Sequence, residues 1–557
     1  MQGAIKLVTP IISLFIATNS NAQLTQNITI GNSKALGLGH AVTADPPGID
    51  SIHFNPAGLA KIKGRQRQVK LIAAKMTFNT DIGKRRLDEA HADQGAGSVT
   101  ETYNSIYCND ESQECLYPND PLEYQSGTTS TPVLMLPFVG MTELPFLFVP
   151  LGGVAIEDTE RGRVFATSVY APQAIGYGRE EDGPGRYQGI ELSISRITYF
   201  SPSVAFSVTD TLMFGLSIGF SWQGFGLVSD LRAPETTIPF LKASVEEVGP
   251  ILDEIGLTDL SVFSPYDTLG RLEVEVEDAL SITYNLGLLW EPTPWISFGI
   301  VYQSEGASHM EGDFKMEVPS ALTDLTGPIA NTPWLNSIVA TLGGGPMTGL
   351  ASQEGSVELD LVTPAHFSVG TSVKLFPDLK INVDLKWTDY GAWEDLEFTF
   401  DQNLDFLVLA NLVNNVGGSA FNKGEDTADP NKMVISRRYE SVWSWAFGVE
   451  YEASDNLVLR FGYEPRTSAI PDDRVDLFAP LSDTKLYSIG FGYQLDKDTR
   501  IDAALGYLDS SYSAKAGQSD NLNTTTPGHV VYAPYAFLDV SASVSAYIFS
   551  FSYDEKF

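Results

Sequence analysis

Apolar and polar residues alternate strictly along much of the chain. From Leu280 onward, Ile282, Tyr284, Leu286, Leu288 and Trp290 share one face, while Ser281, Thr283, Asn285 and Gly287 share the other. The same period recurs at Leu212, Phe214, Leu216, Ile218, Phe220 and Trp222, interleaved with Gly215, Ser217, Gly219 and Ser221. It returns at Trp443–Tyr451 and Tyr487–Leu495, with shorter runs over 296–302, 367–375, 381–387, 457–463 and 501–507. A period of two is the signature of a β-strand. Soluble sandwiches alternate as well, so the chemistry of each face decides. Here the apolar face is large and aromatic. The opposite face is small and polar, and it carries Lys380, Asp384 and Lys386 opposite Ile381, Val383 and Leu385. A charge turned to lipid costs ~2–4 kcal/mol near the bilayer midplane, so the bulky face meets lipid and the charged face lines a lumen.

Connections point the same way. Short turns at Thr209-Asp210, Glu291-Pro292-Thr293-Pro294, Phe376-Pro377-Asp378, Ala453-Ser454-Asp455 and Asp496-Lys497-Asp498 alternate with long insertions. The insertions fall near 80–130, 176–188, 230–277, 314–356, 400–437, 464–482 and 509–535. A barrel threaded from one side has short periplasmic turns and long extracellular loops. The expected fold is all-β: an antiparallel transmembrane barrel of about 14 strands with both termini periplasmic. The strand before the first short turn is placed near 131–157. Phe549, Phe551, Tyr553 and Phe557 put an aromatic row on the last strand, which must pair with the first because lipid leaves no unpaired edge satisfied.

Composition narrows the picture. Lys6, the apolar run Leu7–Ala17 and Ser20-Asn21-Ala22 read as a secretory signal peptide over residues 1–22. Cys108 and Cys115, seven apart in a polar stretch of an exported chain, are expected to form one loop-stapling disulfide. No further Cys or His stands near enough to complete a metal site. Seventy acidic against 35 basic residues give a net charge of −35, which excludes nucleic-acid binding by counterion release. No phosphate-loop or paired-His pattern appears, so no enzyme activity, catalytic residue, cofactor or metal is expected. His40 and His53 read as turn or lumen residues.

Before the first strand lies a Gly/Ala-rich segment, Asn32-Ser33-Lys34-Ala35-Leu36-Gly37-Leu38-Gly39-His40-Ala41, followed by Ser51-Ile52-His53-Phe54-Asn55-Pro56-Ala57-Gly58. It is too small and polar to cross a bilayer and most simply folds back as a plug, giving a hatch over 23–65 and a barrel over 66–557. The motif Phe54, Asn55, Pro56, Ala57 in this place resembles the N-terminal hatch of the FadL/OMPP1/TodX family of outer-membrane hydrophobic-compound transporters. Arg196–Tyr199, Tyr302–Glu305, Trp387–Tyr390 and Arg460–Glu464 are similar to the family as well, and the likeness runs from about residue 31 to the end. This chain departs in its longer loops and more acidic balance, and no basic residue is matched to a carboxylate-binding role.

The resemblance implies passive transport of long-chain fatty acids or hydrocarbons across the outer membrane: loop capture, a lumen pocket, a hatch shift and lateral exit. The partners it implies are that ligand, membrane lipid and lipopolysaccharide, and the barrel-assembly machinery. Residue candidates follow. Tyr170, Ala171 and Pro172 mark a wall opening, because a proline inside a strand belongs at a bulge or edge; Pro202 lies on the next strand. Phe240, Leu241, Val245, Val248 and Leu252 form a helical apolar stripe suited to a capture loop, and Leu404, Leu407, Val408, Leu412 and Val416 form another, suited equally to capping the barrel. The rival readings are a general diffusion porin and an adhesive or structural surface barrel. Neither calls for a plug.

Overall fold

The computed structural model describes residues 27–86, 120–145, 147–232, 266–416, 429–524 and 534–557. Its wall is a closed antiparallel barrel of 14 strands. These are β1 (Arg65–Arg85), β2 (Ser126–Thr129 and Leu147–Asp158), β3 (Arg163–Gly178), β4 (Glu191–Phe200 and Ser203–Ser207), β5 (Leu212–Leu231), β6 (Gly270–Thr293) and β7 (Ile296–Gln303 and Gly306–Glu317). The circuit continues through β8 (Ser352–Thr363 and His366–Phe376), β9 (Leu379–Thr388 and Asp395–Phe400), β10 (Lys432–Ser436 and Val442–Ser454) and β11 (Leu457–Arg466). It ends with β12 (Thr484–Gln494), β13 (Thr499–Ala514) and β14 (Leu538–Lys556). β14 closes on β1 from Gln66↔Lys556 to Arg85↔Leu538, so the sheet has no edge there.

Facing is as the alternation predicts. On β9, Leu385 is 38% exposed while its neighbours Asp384 and Lys386 are 1% and 2% exposed. Ile282, Tyr284, Leu286, Leu288 and Trp290 are all exposed on β6. At ~3.3 Å per residue and ~40° tilt this row covers about 20 Å, close to the ~25 Å apolar band of such barrels. Short turns are held by side chains that mimic backbone: Asp496 Oδ1 accepts from Asp498 N (2.8 Å) and Thr499 N (2.9 Å).

Two features differ from the sequence reading. The wall extends well beyond the lipid, and there the phase of β6 inverts through a bulge between Asp278 and Ser281. Above it Leu272, Val274 and Val276 point inward into a large apolar core with Phe225, Phe314 and Phe398, while Glu273, Glu275 and Glu277 take the outer face. The expected loop at 230–277 is therefore strand from Gly270 onward, and the lumen is wet-faced only in its lower part. The physical reason is solvent: once outside lipid, the strands bury their apolar residues inward like a soluble sheet.

The second difference concerns 131–157. Only Leu147–Asp158 and the short segment Ser126–Thr129 belong to the wall, pairing with β1 at Leu147↔Ala74 and Thr129↔Phe78. The chain between them leaves the wall as a hairpin, Val133–Leu136 with Gly140–Glu143. Met135 N donates to Ser193 Oγ (2.7 Å), and Met141 packs on Gly226. Leu192 and Ile194 belong to the inner core, so Ser193 faces the other way and the hairpin drapes over the outer surface of β3–β5.

Among the described residues, three helices cap the extracellular end: α1 (Ser320–Asn331), α2 (Pro333–Gly343) and α3 (Asp405–Val416). Leu404, just ahead of α3, and Leu407 and Val408 on it join the same core as Leu325 and Val339. The first three side chains are buried in that core and are not presented to solvent.

Candidate functional site: the plugged lumen and a break in its wall

Residues 27–62 fill the lower lumen as short helical pieces, Ile28–Ile30, Ser33–Gly37, Gly48–Asp50, Ser51–Phe54 and Pro56–Lys61. Their own small core holds Ile30, Leu38, Val42, Ile49, Ile52, Phe54 and Leu59. The seat is built from wall glycines. A Cβ on Gly299 would lie 2.0 Å from Thr43 O, on Gly462 2.0 Å from Gly39 N, on Gly215 2.1 Å from the Pro56 carbonyl carbon, and on Gly287 2.1 Å from Asn55 Oδ1. The small inward face thus serves contact with the plug rather than open space.

The hatch motif explains itself in this frame. Asn55 caps the Pro56–Lys61 turn, its Oδ1 accepting from Ala57 N (3.2 Å). Its Nδ2 donates to Thr43 O (2.8 Å) within the hatch and to Leu288 O (3.1 Å) on β6. Pro56 occupies the first helical position, where its missing N–H costs nothing. Ala57 is fully buried against Met213 and Leu289, and Phe54 packs edge-on to His53 at 5.2 Å.

Charged locks surround the plug. Lys70 Nζ of β1 donates to Asp50 Oδ1 (2.6 Å) and Ile30 O (3.0 Å), while Asn32 Nδ2 donates to Asp50 Oδ2 (2.7 Å). His40 Nδ1 lies 2.9 Å from Glu464 Oε2, and Lys386 Nζ donates to Glu464 Oε1 at 2.8 Å. Asp45 bridges Lys34 (2.9 Å) and Lys380 (2.6 Å). Burial raises the Asp45 carboxyl, yet the two cations outweigh it and hold the group ionised. Burial, aided by nearby Lys70 and Arg196, pushes His53 down to about 3, and burial likewise lowers His40. Both rings are neutral lumen residues.

The wall is interrupted beside this plug. β2 and β3 pair from Asp158↔Arg163 only as far as Gly152↔Val169. Beyond that, among the described residues, β3 meets this side of the wall again only at Gly178, bridged to Thr131. On the other side β3 shifts register against β4 between Tyr170 and Gln173, the bulge that carries Ala171 and Pro172. Ser201 replaces lost ladder bonds, its Oγ donating to Ser168 O (2.7 Å) and accepting from Ser168 N (2.9 Å). Side chains close the gap: Leu134, Leu147, Ala171 and Ala174, packed with Ala74, Leu136, Leu144 and Val149. The hatch reaches this point, since Thr29 Oγ1 donates to Ala171 O (2.8 Å). Inside the kink lies a cavity of about 60 Å³ lined by Tyr170, Pro172, Gln173, His53 and Arg196, among others.

The structure therefore brings the hatch motif, the two histidines and the Tyr170–Pro172 bulge into one region. The predicted capture stripe at Phe240, Leu241, Val245, Val248 and Leu252, and the Cys108–Cys115 pair, lie outside the described residues. Sequence reading missed the hairpin residues Leu134, Leu136 and Leu144, and missed Arg196 as a lumen group. An inward-parity arginine in the run Ser193-Ile194-Ser195-Arg196 was the available signal.

A closed barrel corked by its own N-terminal segment defines a plugged outer-membrane channel. The chain belongs to the outer membrane protein transport protein family (OMPP1/FadL/TodX), whose profile it matches over residues 13–557. It is 22% identical over 233 residues to a long-chain fatty acid transport protein of Escherichia coli O6:H1, a stretch covering 42% of this chain and 43% of the relative, so the match spans less than half of that relative's length. Its fold is similar to that of a Pseudomonas aeruginosa FadL homologue (TM-score 0.64, 18% identity, 94% and 98% of the two chains). It is similar also to the P. putida toluene transporter TodX (TM-score 0.55, 14% identity, 96% and 99%).

Proposed function

We propose that this barrel carries hydrophobic compounds, long-chain fatty acids or hydrocarbons, across the outer membrane by passive diffusion, releasing them sideways through the seam between β2 and β3. One observation carries the reading. Over the stretch where β3 lacks a β2 partner, the wall is shut by apolar side chains, Leu134, Leu147, Ala171 and Ala174, and not by hydrogen bonds.

Energetics favour that route. Each CH₂ returned to water costs ~0.8 kcal/mol, so a 16-carbon chain loses about 12 kcal/mol if released downward. Beneath the hatch the lumen opens into a polar vestibule of about 310 Å³ lined by Lys34, Gln68, Arg500, Asp502 and Asp554. Side chains closing an apolar gap can rotate aside, whereas a laddered wall must break several backbone bonds within lipid. Thr29, bonded to Ala171 O, couples a hatch shift to the gap. The apolar upper lumen around Phe225 and Phe314 supplies the entry path, and the stripe at Phe240, Leu241, Val245, Val248 and Leu252 the initial capture. The outward rows meet lipid and, in the outer leaflet, lipopolysaccharide, and the terminal aromatic strand is the element presented to the assembly machinery.

The test is uptake of radiolabelled palmitate by cells that lack their own carrier. Ala174→Trp, which fills the gap, should reduce uptake at least fivefold while the barrel keeps its heat-modifiable migration. Full uptake by folded A174W would remove the lateral route.

A further inference from the structure

Among the described residues, seven basic side chains are buried to about 5% exposure or less: Lys70, Arg196, Arg232, Lys386, Arg437, Arg460 and Arg466. Six of them hold a carboxylate. Lys70 pairs with Asp50, Arg232 with Asp120, Lys386 and Arg466 with Glu464, Arg437 with Asp476, and Arg460 with Glu450 and Asp502. Arg196 differs. It is 4% exposed, its Nη2 donates to Thr283 Oγ1 (3.1 Å), and its Nε has no hydrogen-bond partner. No described carboxylate forms an ion pair with it.

A buried guanidinium lacking its counter-charge is costly, and five donors in a planar fork are made for a carboxylate. Its surroundings leave room for one. Arg196 lines the 60 Å³ cavity inside the β3 kink, together with the polar groups of Tyr170, Thr198, Thr283, Asn285 and Gln303. That space holds only a few waters, at ~10–15 Å³ each on the same measure, which suits a head group and not an acyl chain. The apolar gap begins at Ala171, next to Tyr170 and Pro172 of the same lining.

We infer that Arg196 is a head-group site for monoanionic carboxylates at the inner mouth of the wall gap, so that this barrel selects amphipathic acids over neutral hydrocarbons of the same length. The inference rests on the proposed transport of hydrophobic compounds and names its substrate class. A single arginine without a second unpaired cation matches one carboxylate rather than a multiply charged phosphate. The neutral amides and hydroxyls beside it take up remaining lone pairs, and the tail is left pointing at the gap.

Binding of octanoate and of octan-1-ol to the purified full-length protein at pH 7.5, by isothermal titration, separates the alternatives. Wild type should bind octanoate more tightly, Arg196→Gln should weaken octanoate by about tenfold to a hundredfold while leaving octanol unchanged, and Arg196→Lys should retain part of the preference. Heat-modifiable migration checks that each variant is folded. Equal affinity of octanoate for wild type and R196Q overturns the head-group site while leaving hydrophobic transport standing, provided octanol still binds. Loss of both ligands in folded R196Q overturns it as well, by showing a packing role. Wild type that binds neither ligand overturns the transport reading and this inference together.

Discussion

Replacing Asn55 by alanine removes three hydrogen bonds at once from the point where the plug meets both itself and the wall. The amide donates to Thr43 O at 2.8 Å and to Leu288 O at 3.1 Å, and accepts from Ala57 N at 3.2 Å. Each such bond is worth ~1 kcal/mol net, and a buried carbonyl left without a donor costs ~1–3 kcal/mol. Water entering the space left by the side chain recovers part of this. The docked hatch should lose about 2–3 kcal/mol, which multiplies the undocked population roughly 30- to 150-fold. Because the plug occupies the lower lumen, undocking should appear as ion-conducting events in planar bilayers. Asn55→Ala should open far more often than wild type, and Ser337→Ala on the exposed face of α2 should match wild type. If N55A and wild type show open probabilities within threefold of each other, the motif does not hold the plug and this account of it is wrong.

Other outcomes follow from the same geometry. Gly299→Ala places a carbon 2.0 Å from Thr43 O, so it should raise conductance as N55A does, although it removes no hydrogen bond. Mild acid should loosen the hatch: His53 sits near 3 when docked against ~6.5 when free, so its contribution is complete above about pH 6.5 and is lost as pH falls toward 3. By pH 5 the loss is about 2 kcal/mol, and His53→Gln should flatten most of the conductance change between pH 7.5 and 5, with a residual slope from His40. Leu385→Arg puts a charge on the lipid face and should destabilise the barrel by ~2–4 kcal/mol in urea titration from lipid vesicles. Substituting exposed Leu342 on α2 by arginine should change it little.

The wall was legible because lipid and lumen impose opposite chemistry on alternate residues, and Asp384-Leu385-Lys386 displays it in three positions. The same rule misled where the solvent changes. Leu272, Val274 and Val276 alternate with Arg271, Glu273 and Glu275, a phase that suits a strand standing in water, and only the bulge at Asp278–Ser281 reconciles it with Ile282 onward. A count of apolar positions alone reads that stretch as loop. The hairpin beginning at Val133 failed for the converse reason: its apolar run Val133-Leu134-Met135-Leu136 suits a wall strand, and nothing local reveals that its partner is the outside of the barrel. The plug was readable from Asn55-Pro56-Ala57 and its place before the first strand. Its seat was not, since Gly215, Gly287, Gly299 and Gly462 come from four different strands. Arg196 is visible as a residue, but its lack of a counter-ion is a property of the assembled lumen.

On the proposed reading, this plugged barrel passes greasy molecules and little else. Expressing it in a carrier-deficient Gram-negative host and following radiolabelled palmitate beside a hydrophilic sugar of porin size tests that directly. Palmitate entry should rise severalfold over the empty vector with sugar entry unchanged. Sugar entry rising while palmitate stays at the vector level, with the protein folded in the outer membrane, would contradict it.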